Sequence, residues 1–136
     1  MKETRQPTPT EIDELIAFLP IIYGEGFKPI NQWLDGKQAG KQELTMPWPD
    51  YNQVVTDFFH TAGKDCWCDY DYDPDQSARM IRDADTVKNS TLDQVKTMLT
   101  YCVRGERFRD GHWGEMIDSG AIRNLLERLI ELGSLM

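Results

Sequence analysis

A chain of 136 residues, with 40% hydrophobic and 28% charged side chains, is long enough for one domain with its own core and too apolar to stay disordered. Its formal charge of −8 comes without a Lys/Arg stripe that would neutralise phosphates, so generic binding to nucleic acid or to an anionic membrane surface is disfavoured. The longest apolar run, around residues 18–23, is broken by Pro20 and is far too short to span a membrane.

Residues 1–9, polar and carrying Pro7 and Pro9, read as a loose leader and as neither a signal nor a transit peptide. Residues 10–136 read as a single compact, mostly α domain of five or six helices. Thr10, with Asp13 three residues on, makes a capping-box-like start. Ile12, Leu15, Ile16 and Leu19 then share one helical face, and Pro20 is expected to end that helix. From residue 21 to 49 the pattern weakens: Gly24, Gly26, Gly36, Gly40, Pro29, Pro47 and Pro49 punctuate it. Phe27, Ile30, Trp33, Leu34, Leu44 and Trp48 look buried there. A small hairpin turning at Asp35-Gly36 is one expectation for this stretch, and a helical turn over residues 31–34 is another.

After Pro49 the helical period returns. Tyr51, Val54, Val55, Phe58, Phe59 and Ala62 fall on one face, with Gly63 placed to end the helix. Ser90 and Asp93 suggest a second capping box, above a stripe of Leu92, Val95, Leu99 and Cys102 that runs to Gly105. The last helix carries Ile122, Leu125, Leu126, Leu129 and Ile130 and closes at Gly133. Shorter helices are expected near 74–84 and 112–118. No repeat, no low-complexity tract and no strand–helix alternation of the doubly wound kind is present.

Residues 65–76, DCWCDYDYDPDQ, gather five aspartates and two thiols. Asp69, Asp71 and Asp73 match the first three ligand positions of a calcium-binding EF-hand loop. The match then fails, because the required glycine is Pro74 and the required glutamate is Met80. Cys66 and Cys68 form a C-x-C pair with no second pair, and His60 and His112 sit at no zinc-finger spacing. Neither a metal nor another cofactor is expected. Asp73-Pro74-Asp75 instead reads as a helix start, with a side-chain acceptor, a proline where no donor is lost and an acid near the positive dipole end. Trp67, Tyr70 and Tyr72 are expected to cover the edge of the core with their polar tips wet, and Cys66 and Cys68 to be free thiols, one of them buried. Three cysteines, an odd count, argue against a disulfide framework and make the cytoplasm the expected location.

Residues 104–116, RGERFRDGHWGEM, crowd three arginines, a histidine and a tryptophan into a glycine-punctuated turn between two helices. Loops on rigid supports often carry function. Arg107 and Arg109 can clamp a carboxylate or phosphate, and His112 titrates near neutrality with Glu106 or Asp110 placed to orient it. Trp113 offers a flat face to a ring or cation. A purely structural use is equally concrete. Arg104 and Arg107 would complement a helix C-terminus, Asp110 would cap the next helix, and Phe108 and Trp113 would pin the corner into the core. One histidine without a nucleophile makes a thin catalytic set, so no catalytic residue is assigned.

The segment KTMLTYCVRGERFRDGHW (residues 96–113), followed by SGAIRNLLERL (119–129), resembles an uncharacterised bacterial family, a domain of unknown function found in small stand-alone proteins. YNQVVTDFF (51–59) and CWCDYDYDP (66–74) are similar to it too, so the resemblance covers about the last two-thirds of the chain. The run R-G-E-R-F-x-D-G-H-W carries its specificity. The resemblance implies a compact domain in bacteria or their mobile elements and brings no activity with it.

Three functions compete on this reading. The first is a non-enzymatic interaction module that binds a protein partner through its aromatic-rich loops. The second is a small enzyme or anionic-ligand-binding protein centred on Glu106, Arg107, Arg109, Asp110, His112 and Trp113. The third is an acidic mimic of nucleic acid built on residues 65–85, where seven Asp face only Arg79 and Arg82.

Overall fold

A computed structural model of the chain describes residues 5–34 and 47–135. Its first helix, α1 (Pro9–Ile16), opens on a reciprocal cap: the Thr8 hydroxyl accepts from the Glu11 amide and the Glu11 carboxylate accepts from the Thr8 amide. This cap lies two residues before the Thr10–Asp13 pair, because Thr8 has the extended backbone a cap needs and Pro9 has no amide hydrogen to strand. Residues 5 and 6 are tied down as well, Arg5 by a forked ion pair to Glu11 and Gln6 by a 2.7 Å hydrogen bond to Asp93. Pro20 does not end α1, which stops at Ile16. It sits in the first turn of a second short helix, α2 (Leu19–Ile22), where the missing donor costs nothing.

Strand β1 (Ile30–Leu34) pairs antiparallel with β2 (Trp48–Tyr51), with Ile30 opposite Tyr51 and Leu34 opposite Trp48. The expected hairpin is therefore present, and residues 31–34 are strand rather than a helical turn. Ile30, Trp33 and Leu34 happen to carry helical spacing, and the register irregularity between Ile30 and Gln32 removes the alternation that would have marked a strand. Pro49 is tolerated because a two-stranded sheet has only edge strands. Trp33 is 46% exposed rather than buried. The Asp35-Gly36 turn, Gly40 and Leu44 lie outside the described residues.

Helix α3 (Gln53–Ala62) follows as expected. Asn52 caps it, Val55, Phe58, Phe59 and Ala62 are buried, and Gly63 ends it, while Tyr51 belongs to the strand before. Beyond a single 3-10 turn (Asp65–Trp67) come α4 (Pro74–Arg82) and the unforeseen α5 (Ala84–Lys88). Asp73 caps α4 through the amides of Asp75 and Gln76, and Asp83 caps α5 in the same way. Helix α6 (Leu92–Arg104) starts on a capping box formed by Thr91 and Gln94. The Ser90–Asp93 pair does not serve, because the buried Ser90 hydroxyl donates to the Val87 carbonyl at 2.7 Å. A second 3-10 turn (Gly105–Arg107) leads to α7 (His112–Asp118) and then to α8 (Ala121–Ser134), which runs through Gly133 without stopping.

The core forms where α8 packs against α1, α5, α6 and α7, and where α6 also meets α3 and α4. Leu15, Phe58, Trp67, Leu99, Ile122, Leu125, Leu126 and Leu129 are fully buried, each aliphatic side chain worth about 1.5–3 kcal/mol on transfer from water. Among the described residues the architecture is a mostly α domain carrying one small hairpin. No helix among the described residues is long and apolar enough to cross a membrane.

Candidate ligand cleft at the α6–α7 corner

The corner between α6 and α7 is organised by Glu106. One of its carboxylate oxygens accepts from the Tyr51 hydroxyl at 2.7 Å and from the Trp113 amide at 2.8 Å; the other accepts from the Gly111 amide at 2.8 Å. A negative group thus satisfies two amides at the start of α7, as a cap would, and ties them to the hairpin through Tyr51. The Tyr51 hydroxyl also accepts from the Gly114 amide at 3.3 Å, and burial with the neighbouring Glu106 holds its phenol in the protonated form well above the usual tyrosine range. Asp110, expected to cap α7, is exposed and makes no such bond; Gly111 occupies the cap position. Gly111 has φ +91°, and a Cβ there would lie 2.8 Å from the Trp33 ring, so only glycine fits.

Trp113 pins the corner. Its ring stacks on Phe59 at 4.7 Å, and its indole N–H donates to the Val103 carbonyl at 2.9 Å. Phe108, expected to share that task, is 81% exposed. Arg104 lies between Tyr70 and Tyr72, its guanidinium carbon 5.4 and 5.5 Å from their ring centres, which joins the aspartate-rich loop to this corner. Arg107 is exposed. Arg109 is paired with Glu115.

His112 is 5% exposed. Its imidazole meets the Tyr101 ring edge-on at 5.1 Å and lies flat on Gly105, where a Cβ would come within 2.3 Å of Nε2. That close approach is the reason for glycine at position 105. No hydrogen bond joins His112 to Glu106 or Asp110, and its Nε2 lacks a partner among the described residues. Burial first, and the Arg109 charge second, lower the imidazole pKa below its ordinary 6.5, against an opposing pull from Glu106, so the ring is neutral at pH 7.

His112 and Gly105 form part of the wall of a cleft of about 820 Å³. Tyr101 from α6, Met116 and Glu115 from α7, Ala121 and Asn124 from α8, and Ile81 and Arg82 from the end of α4 complete most of the lining, with Tyr72, Arg109 and Phe108 also bordering it. Of the six residues singled out in the sequence, the cleft takes up Arg109 and His112. Glu106 and Trp113 build the corner behind it, while Arg107 and Asp110 do not line it. Arg82, Tyr101 and Asn124 were not legible as site residues. Each lies on an ordinary amphipathic helix, and only the packing of α4, α6 and α8 brings them to one hollow.

Asp65, Asp69 and Asp73 hold the local chain. Besides the Asp73 cap, Asp69 accepts from the Asp71 amide at 3.0 Å and from the Thr97 hydroxyl at 2.7 Å, and Asp65 accepts from the Tyr70 hydroxyl at 2.6 Å. No group of three or more His, Cys, Asp or Glu side chains able to hold a metal ion occurs among the described residues. Trp67 is fully buried rather than at the edge of the core, and its indole N–H has no partner among the described residues. All three cysteines are buried, not one of the Cys66–Cys68 pair alone, and burial pushes the Cys66 thiol up to about 11.

The chain belongs to a family of unknown function, DUF6508, whose model matches residues 7–134. The match extends well beyond the two-thirds of the chain marked by the motif resemblance. No curated protein and no solved structure matches the chain.

Proposed function

We propose that this protein is a small-molecule-binding domain and that the α6–α7 corner is the scaffold of its binding cleft. The cleft itself carries the reading. Its volume of about 820 Å³ lies in the range of ligand sites, and its wall mixes apolar and aromatic surface with a few polar groups from four helices. Binding is favoured over catalysis by the use made of the polar residues. Glu106 commits both oxygens to holding the chain, and His112 has no hydrogen bond to Glu106 or Asp110 that would orient it as an acid or base. The acidic mimic finds little support, since Asp65, Asp69, Asp73 and Asp83 are occupied as turn and helix acceptors. A bacterial cytoplasm is part of the same proposal, resting on composition and on the motif resemblance.

The test is amide chemical-shift mapping of the labelled protein against a library of small aromatic and aliphatic fragments. Hits should perturb Tyr101, Gly105, His112 and Met116 together. Hits that consistently map elsewhere, or no hits at all, would refute the proposal.

A second reading has one observation behind it. Trp33 and Phe108 are both exposed, and Trp33 leans against Gly111 at the same corner. A protein partner would then insert a side chain into the cleft from this rim. In that case a Trp33→Ala, Phe108→Ala double variant would keep its stability and lose the partner, and retained binding would dismiss the idea.

A further inference from the structure

We infer that the cleft selects a planar organic monoanion, an aromatic carboxylate, with Arg82 as the group that holds its charge. The inference rests on the proposal that the cleft is a ligand site, and it starts from the distribution of charge around the hollow. Two guanidinium groups border it, Arg82 and Arg109, against a single carboxylate, Glu115. Glu115 is already paired with Arg109. No carboxylate among the described residues lies within ion-pair distance of Arg82. Asp83, its neighbour in sequence, turns its carboxylate to the α5 amides of Asp85 and Thr86.

His112 adds no charge, because burial keeps its imidazole neutral at pH 7. The cleft therefore offers one uncompensated positive charge. That matches a carboxylate, which a guanidinium receives with two parallel hydrogen bonds. A phosphate dianion would ask for a second free cation or a nest of backbone amides, and the lining supplies neither.

The remaining surface defines the body of the ligand. Tyr72, Tyr101 and Phe108 bring three aromatic rings to one hollow, with Met116 as adaptable and Ile81 as fixed apolar filling. Phe108 is the informative member, since an 81% exposed phenylalanine at the mouth of a cavity leaves apolar area uncovered until something rests against it. The anion anchor expected from sequence, Arg107 with Arg109, is thereby replaced. Arg107 does not border the cleft, and Arg109 is engaged with Glu115.

The experiment uses matched pairs. Aromatic carboxylates such as indole-3-acetate and naphthoate are titrated alongside their primary amides, with amide shifts of Tyr101, Gly105 and Met116 as the readout. The acids should bind at least about tenfold more tightly than the amides, the scale of one charge-assisted contact. Arg82→Gln, an exposed position whose loss leaves the core intact, should remove that advantage, so that acid and amide bind alike. Equal binding of acid and amide at the cleft would overturn the anion inference while the cleft survives as a ligand site. Tenfold selectivity that persists in Arg82→Gln would overturn the role of Arg82. If no member of any pair moves the cleft amides, both the inference and the ligand-site proposal fall.

Discussion

Removing Glu106 should damage this protein more than removing any other charged side chain of the α6–α7 corner. Glu106→Ala strands three donors at once: the Tyr51 hydroxyl and the amides of Gly111 and Trp113. A hydrogen bond to a charged acceptor is worth about 1.5–3 kcal/mol, and an unsatisfied donor costs about 1–3 kcal/mol where water cannot reach it. These donors are half-buried, so water recovers part of each loss, and the three share one acceptor group and do not add. A total of about 2–4 kcal/mol follows, which for a chain of 136 residues corresponds to a fall in Tm of roughly 6–15 °C. Glu106→Gln should cost less, about 1–2 kcal/mol, because one carbonyl oxygen survives while the amide NH₂ opposes a backbone donor. Urea unfolding at pH 7 reads the difference as a shift in midpoint at constant slope. A double-mutant cycle with Tyr51→Phe should return a coupling above about 0.5 kcal/mol, since the two side chains are bonded directly. Stability within about 0.5 kcal/mol of wild type for Glu106→Ala, or strict additivity with Tyr51→Phe, would refute the account of the corner.

The protein has two histidines, so in a His60→Gln background the remaining imidazole titration belongs to His112, and NMR should place its midpoint below 6.5. Because the folded state then binds this proton less readily than the unfolded state, His112 lowers stability as pH falls below about 6.5, with the loss growing down to the folded pKa and constant beneath it. A midpoint at or above 6.5 would contradict the burial described. Gly105→Ala brings a Cβ to 2.3 Å from the imidazole, so either the ring leaves its seat or α6 shifts, at an overpacking cost of about 1–3 kcal/mol; an unchanged Tm and unchanged Tyr101 ring shifts would show that the contact is not tight. Thr91→Ala should cost about 1 kcal/mol as a lost helix cap, and a neutral result would disprove the Thr91–Gln94 box.

Much of the helical skeleton was readable because its signals are local. The stripes Val55–Phe58–Phe59 and Leu125–Leu126–Leu129 and the Asp73-Pro74 start depend on neighbours within a turn or two. The errors came where two local choices were close in energy. Thr8 and Thr10 both precede the first apolar turn, where the extended backbone of Thr8 and the proline after it decided, and Ser90 and Thr91 both precede Leu92, where the bond from the Ser90 hydroxyl to Val87 decided. The fate of Glu106 was not legible, since its partner Tyr51 is 55 positions away and only the folded hairpin delivers it. The cleft was half visible. Its histidine and one arginine announced themselves in a crowded motif, whereas Arg82 and Tyr101 looked like any residues on a solvated helix face.

The most direct measurement is a crystal structure of the chain grown with the aromatic carboxylate that gives the largest cleft shifts. The account predicts the ring resting against Tyr101 and Phe108 with its carboxylate on Arg82, and Glu106 unmoved on its three donors. A ligand found away from these residues, or a hollow closed over by Phe108 with the acid excluded, would contradict it.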